Sequence, residues 1–205
     1  LGPDNVLLVD GGDTFSDDLL GNLTEGEAMI RLMNAVGYQF MALGNHDFDY
    51  GFERTRELAR IARFPMRGAN IAERATGKPV FGDPTLVTTV GGVKVGLLAL
   101  GYHNTDLTGD RDNVRALAFT SGIEAARRIL PELRQRAEAI VVVSHQGSKV
   151  DRKLLREVEG IDLVIGAHSH DLIAPPERVG GGWLVQAMSD GAMLGEVALS
   201  LRDGK

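Results

Sequence analysis

Aliphatic residues fall into short runs broken by glycine and polar punctuation, and the runs alternate with stretches whose apolar positions recur at helical spacing. Val6-Leu7-Leu8-Val9, Phe40-Met41-Ala42-Leu43, Ile140-Val141-Val142-Val143 and Leu163-Val164-Ile165 read as strands buried on both faces. Between the first two, Thr24-Glu25-Gly26-Glu27 offers a capped start for a helix through Val36, with Ala28, Ile30, Leu32, Met33 and Val36 on its apolar face and Gly37 ending it. The second strand then spans Tyr38 to Leu43. A helix over 52–63 carries Leu58, Ile61 and Ala62 inward, and Pro65 stops it before a short strand at 66–70.

The segments Thr85 to Val90 and Val93 to Leu100 flank Gly91-Gly92 and read as a hairpin. Thr120 or Ser121 caps a helix running to about Arg136, with Pro131 as a kink inside it. The strand ending at Ser144 follows, then a helix over 149–159, a strand over 162–166, and late strands over 182–187 and 196–201. Pro175-Pro176 and Gly180-Gly181-Gly182 mark surface loops. The reading is α/β with mixed sheets and no internal repeat.

At 205 residues and 43% hydrophobic, the chain is long enough for one cored domain covering 1–205. A net charge of -6 without a long Lys/Arg cluster gives no electrostatic support for nucleic acid or an anionic membrane surface. No apolar stretch approaches the roughly 20 residues of a membrane span, and no signal peptide is visible at the start. Cysteine is absent, which excludes disulfides and thiolate ligands and leaves the compartment open. Both ends read as cut: Leu1-Gly2-Pro3-Asp4-Asn5 leads straight into a buried strand, and Asp203-Gly204 signals a hairpin whose returning strand lies beyond the numbering.

The chemistry lies where the four buried runs end. They lead into Asp13, Asn45-His46-Asp47, His145 and His168-Ser169-His170, so that four of the five histidines sit in these four segments and only His103, after the Val93 to Leu100 strand, lies elsewhere. Ligands in sheet proteins gather outside the carboxyl ends of strands. Carboxylate, amide oxygen and neutral imidazole suit Mn²⁺, Fe, Co²⁺ or Zn²⁺, and a site of this type without thiolates is catalytic in character rather than structural. Two such cations about 4 Å apart, bridged by a carboxylate for which Asp13 is the candidate, can activate a water and stabilise a phosphate ester in displacement.

Taken singly, each residue has a plainer reading. Asp13 and Asn45 suit tight turns, His145 suits a hydrogen-bonded core position, and His168 and His170 suit a surface loop. Their joint order and spacing carry the metal reading. Asp10 and the pair Asp17-Asp18 read as turn or exposed carboxylates, the arginines at 54, 56, 60 and 63 as a solvated helix face, and Trp183 as core.

Gly12-Asp13, Gly44-Asn45-His46-Asp47, Ser144-His145 and Gly166-Ala167-His168-Ser169-His170 resemble, in order and approximate spacing, the calcineurin-like metallophosphoesterases. The longer string from Gly44 to Gly51, with 32–38 and 68–71, is similar to the 5'-nucleotidase and UDP-sugar hydrolase branch. The resemblance implies a sandwich of two mixed β-sheets flanked by helices, with an N-terminal strand missing here. It implies two divalent ions, with Asp13 bridging, Asn45, His145 and His168 completing one, and His170 on the other. His46, held by Asp49, would act at the leaving oxygen and Asp47 would brace the loop. The nucleophile would be a metal-bound water, acting on a small phosphorylated substrate of nucleotide type, in a periplasmic or extracellular protein. The family's Asp-x-His motif, which supplies the first metal, does not precede Leu8. The chain alone is therefore expected to bind one metal poorly and to be weakly active or inactive. The branch's C-terminal substrate-binding domain is likewise outside this sequence. Alternatives within the fold are a 2',3'-cyclic-nucleotide phosphodiesterase, a nucleotide-sugar hydrolase or a thiosulfohydrolase, and outside enzymology an inactive metal-binding module.

Overall fold

The computed structural model describes residues 2–16 and 18–200. In chain order the first elements are β1 (Val9–Asp10), α1 (Leu19–Thr24), α2 (Glu27–Val36), β2 (Phe40–Ala42), α3 (Phe52–Ile61), β3 (Met66–Arg67) and β4 (Ile71–Glu73). The hairpin β5 (Thr85–Val90) and β6 (Val93–Leu100) follows, then α4 (Thr105–Thr108), α5 (Arg111–Val114) and β7 (Leu117–Phe119). The chain continues through α6 (Gly122–Arg136), β8 (Ala139–Ser144), α7 (Ser148–Glu157), β9 (Leu163–Gly166), β10 (Leu172–Val179) and β11 (Gly182–Ala187).

Two sheets face one another. The smaller is parallel in the order β1-β2-β3; the larger is mixed, in the order β10-β11-β9-β8-β6-β5, with antiparallel pairs only at its two edges. β4 and β7 form a separate antiparallel ribbon. Strand alternation sends neighbouring residues to opposite faces. On β8, Val141 and Val143 pack between the sheets with Phe40, Ala42, Leu97 and Ala99, whereas Ile140 and Val142 pack outward against Leu130, Leu133 and Leu154 of α6 and α7. On β2, Met41 faces away from the sandwich, toward Ile30, Met33 and Leu58 of α2 and α3. Four layers result, helix, sheet, sheet, helix. Every residue of β2 and β8 is buried, which is why these strands read as unbroken aliphatic runs.

Several expectations are corrected. The helix expected through Val36 is α2, which starts at Glu27 after Gly26 and ends at Gly37 as read, but a short helix α1 precedes it that was not read, the two separated by left-handed backbone at Glu25 and Gly26 (φ 47° and 83°). Asp18 is exposed, as expected, and in addition caps α1 by accepting the Leu20 and Gly21 amides; Asp17 lies outside the described residues. Leu32 and Val36 are 53% and 57% exposed instead of facing the core. The strand expected at 66–70 is only Met66–Arg67 (β3); residues 68–70 turn away before β4 begins at Ile71. Pro175-Pro176 lies within β10, an edge strand where a missing N–H is tolerated, beside a register shift between Ile173 and Glu177. The strand expected over 196–201 is irregular over 196–200, and its last residue, like the Asp203-Gly204 turn, lies outside the described residues. Trp183 is 41% exposed with the Arg178 guanidinium 5.0 Å over its ring, so it is a surface residue and not core. Arg54 is mostly buried and ties α3 to Glu25, Glu27 and Glu57, whereas a solvated face was expected.

Candidate metal centre

Four loops at the carboxyl ends of β1, β2, β8 and β9 converge on one rim. The loop after β1 is tied by Asp10, which accepts the Gly12 amide at 2.9 Å and the Thr14 hydroxyl at 2.7 Å. Burial holds the Asp10 carboxyl above its ordinary range despite these donors, so the reading of it as an exposed carboxylate is corrected. Asp47 is the brace between two of the loops. It is 1% exposed and accepts the amides of Asp13, Thr14 and Gly44 at 3.1, 2.9 and 2.8 Å. Burial, then the charge of Asp13, pushes its pKa to about 7.

This brace presses the loops together so closely that only glycine fits at the contact. A Cβ at Gly44 would overlap Asp13 Oδ1, and one at Gly12 (φ 95°) would lie 2.7 Å from the Ala42 carbonyl oxygen. Asp13 itself sits at φ 61°, and its Oδ1 accepts the His46 amide at 2.7 Å. His168 and His170 also lie at positive φ, 71° and 56°. Left-handed backbone in residues other than glycine is costly and gathers at functional sites, and three of the sequence-predicted ligands have it.

His145 is 1% exposed. Its Nδ1 lies 2.7 Å from the Gly11 carbonyl oxygen, which can only accept, so Nδ1 carries the proton and the neutral ring leaves Nε2 with a lone pair. That Nε2 lies 2.8 Å from Asp13 Oδ2, yet it is buried without a hydrogen bond of acceptable geometry. Two acceptor atoms thus face a common point, which a cation would satisfy. With no cation, burial disfavours the imidazolium but the adjacent Asp13 carboxylate outweighs it and holds His145 above its ordinary value. Reciprocally, His145 overcomes burial and holds Asp13 below the usual carboxylate range.

His168 completes the cluster: one donor atom each from Asp13, His145 and His168 lie within 4.8 Å of one another. Burial, then the neighbouring His145, pushes its pKa down to about 4, so its ring is neutral near pH 7 and can offer a lone pair. The Asn45 amide oxygen is buried without a partner, a second orphan in the adjoining loop. These donors fit a divalent ion in type and protonation state. His170 lies outside this cluster and is exposed. His46 packs at the same rim, its Nδ1 2.9 Å from Asp49 Oδ2, which also accepts the Ser16 hydroxyl at 2.9 Å.

Two features of the rim were not read from the sequence. Ser144 donates to Asp151, a buried carboxyl on α7, at 2.5 Å. Tyr102, which follows β6, stacks on His168 with ring centroids 4.0 Å apart. The signal for Tyr102 was available, since it too follows an aliphatic strand at its carboxyl end.

A two-sheet α/β sandwich with oxygen and imidazole donors at the strand ends defines a metal-dependent hydrolase architecture. The chain belongs to the calcineurin-like phosphoesterase family, which it matches over residues 1–172. It is 27% identical to a 5'-nucleotidase of Vibrio cholerae over 98% of the chain and 42% of that protein. Among solved structures, it superposes on the sulfate thiohydrolase SoxB of Thermus thermophilus with TM-score 0.83 at 31% identity, over 88% of this chain and 33% of that one. A 5'-nucleotidase precursor of Thermus thermophilus gives TM-score 0.78 at 31% identity, over 90% and 40% of the two chains. The chain therefore spans less than half the length of the curated relatives it matches. Among the described residues, no helix is long and apolar enough to cross a membrane.

Proposed function

We propose that the protein is a phosphoester hydrolase of 5'-nucleotidase type, acting on a nucleoside monophosphate at a dinuclear divalent-metal site centred on Asp13. The observation that carries this reading is the buried Nε2 of His145 facing Asp13 Oδ2 at 2.8 Å while its Nδ1 is engaged by the Gly11 carbonyl. Asn45, His145 and His168 would complete one ion with Asp13, and His170 would serve the other. Divalent cations held there supply charge neutralisation for the phosphoryl oxygens and acidify water.

The chain's own residues then orient the reaction. Asp47 fixes the Asp13 and Asn45 loops against one another through three amides. His46, steered by Asp49, would stabilise charge on the leaving oxygen or donate a proton to it. Asp49 is itself held, its backbone carbonyl accepting the Asn113 amide at 2.7 Å. No side chain is required as a covalent nucleophile.

The 5'-nucleotidase names of the relatives support a nucleotide as substrate, with base and further phosphate contacts supplied by a C-terminal domain in a protein located outside the cytoplasm. The likeness to SoxB favours a thiosulfohydrolase as the second reading, and the intact Gly44-Asn45-His46-Asp47 string weighs against it. Initial rates of the full-length protein with Mn²⁺ on a nucleoside monophosphate, a 2',3'-cyclic nucleotide, a nucleotide sugar and a thiosulfonate test the assignment. Fastest phosphate release from the monophosphate is expected. Turnover of another substrate with none of the monophosphate would replace the nucleotidase reading.

A further inference from the structure

His145 and His46 each have one ring nitrogen fixed by a protein acceptor, Gly11 and Asp49 respectively. A metal-ligating histidine is ordinarily oriented in this way, through its second nitrogen. His168 is different. Among the described residues neither of its ring nitrogens makes a hydrogen bond, and its backbone is at φ 71°. Its ring instead lies against Tyr102, centroids 4.0 Å apart and planes 30° apart, with His145 edge-on at 5.1 Å.

The backbone that presents Tyr102 is held on both sides. Asn70, 2% exposed, accepts the Gly101 amide at 2.8 Å and donates to the Gly101 carbonyl at 2.9 Å and to the Thr120 carbonyl at 3.0 Å. The Thr105 hydroxyl donates to the Tyr102 carbonyl at 2.8 Å. A side chain at Gly101 would meet Ile71 Cδ1 at 2.6 Å and the Leu43 carbonyl oxygen at 3.0 Å, so the backbone there packs closely against its neighbours. A clamped backbone therefore delivers a flat ring onto a histidine that lacks the usual hydrogen-bonded tether.

We infer that Tyr102 is a positioning residue for metal binding: stacking of its ring sets the plane of the His168 imidazole, in place of a hydrogen-bonded partner. The inference rests on the metal reading of the site given above. Because the work is done by the ring face, the phenol hydroxyl is dispensable. Tyr102→Phe is then a conservative replacement, and Tyr102→Leu, apolar and smaller, removes the function.

The test is calorimetric titration of the full-length, chelator-treated protein with Mn²⁺ and with Co²⁺, alongside thermal melts of the metal-free forms. Tyr102→Phe is expected to bind as the unaltered protein does. Tyr102→Leu is expected to lose affinity by about 10- to 100-fold, the usual effect of removing an outer partner of a ligand, and to change the visible Co²⁺ spectrum. Its metal-free melting temperature is expected to stay close to that of the unaltered protein, which separates positioning from stability. Unchanged affinity and spectrum in a folded Tyr102→Leu protein would overturn the inference while leaving the metal site standing. Absence of metal binding in the unaltered protein would instead remove the site reading itself. If Tyr102→Leu does not fold, Tyr102→Trp keeps a planar ring and is expected to retain binding; a folded Trp variant with affinity reduced as far as expected for Leu would overturn the proposal.

Discussion

Asp151 permits a quantitative test of how the site's scaffold is held. It lies on α7, is fully buried, accepts the Ser144 hydroxyl at 2.5 Å through one oxygen, and leaves the other oxygen without a partner. Burial pushes its pKa from 3.8 to about 7, with Ser144 opposing. Below pH 3.8 the group is protonated in both folded and unfolded chains and favours neither. Between that value and about 7 the unfolded chain releases a proton that the folded chain keeps, so stability falls as pH rises. The gap of about 3 units corresponds to about 4 kcal/mol, reached in full above pH 7. Asp151→Asn removes the titration and preserves an acceptor for Ser144, at a fixed cost of about 1–3 kcal/mol for an unpaired amide. Urea unfolding of chelator-treated protein at steps from pH 4 to pH 8 reads the difference between the two forms. The variant is expected to be the less stable at pH 4 and to gain on the native protein by about 4 kcal/mol across the range. A difference that does not change with pH would refute the reasoning, because it would mean that Asp151 is ionised in the fold at no cost.

Other substitutions probe the loops directly. Gly44→Ala drives a methyl group into Asp13 Oδ1; a loss of about 1–3 kcal/mol in urea unfolding is expected, together with loss of metal binding. Asp47→Ala strands three amides and is expected to cost more than the roughly 1–3 kcal/mol of a single unpaired group in the same assay, with Asp47→Asn milder. His46→Ala is expected to lower kcat by about 10²- to 10⁴-fold while metal content, read by elemental analysis, stays unchanged. Loss of metal in that variant would mean that His46 serves as a ligand.

Much of this architecture could be read from periodicity because both sheets are covered. The strands from Phe40, Ile140 and Leu163 have apolar neighbours on each face, so they leave unbroken aliphatic signals, and the Gly91-Gly92 hairpin has its expected boundaries. Elements whose fate depended on distant contacts were less legible. The short helix α1 was missed; it closes where Gly26 packs against Phe15 and Leu58, a contact no local pattern encodes. The edge strand β10 was obscured by its two prolines, acceptable only because one side of that strand is unpaired. At the site, the residues that end buried strands were legible individually. The grouping of Asp13, His145 and His168, the separate place of His170 and the bracing by Asp47 were implied by the family resemblance, whereas the stacking of Tyr102 on His168 required three-dimensional information. Asp10 holds a turn, as read, by accepting the Gly12 amide, but its side chain is half-buried rather than exposed because the loop folds over it.

The most direct test of the central claim is metal content per chain after loading with Mn²⁺ or Zn²⁺, compared between the unaltered full-length protein and Asp13→Ala. The account predicts two ions in the unaltered protein and loss of both together in the variant, since the proposed site would share Asp13 between them. A full metal complement in a folded Asp13→Ala protein, or no bound metal in the unaltered one, would contradict it.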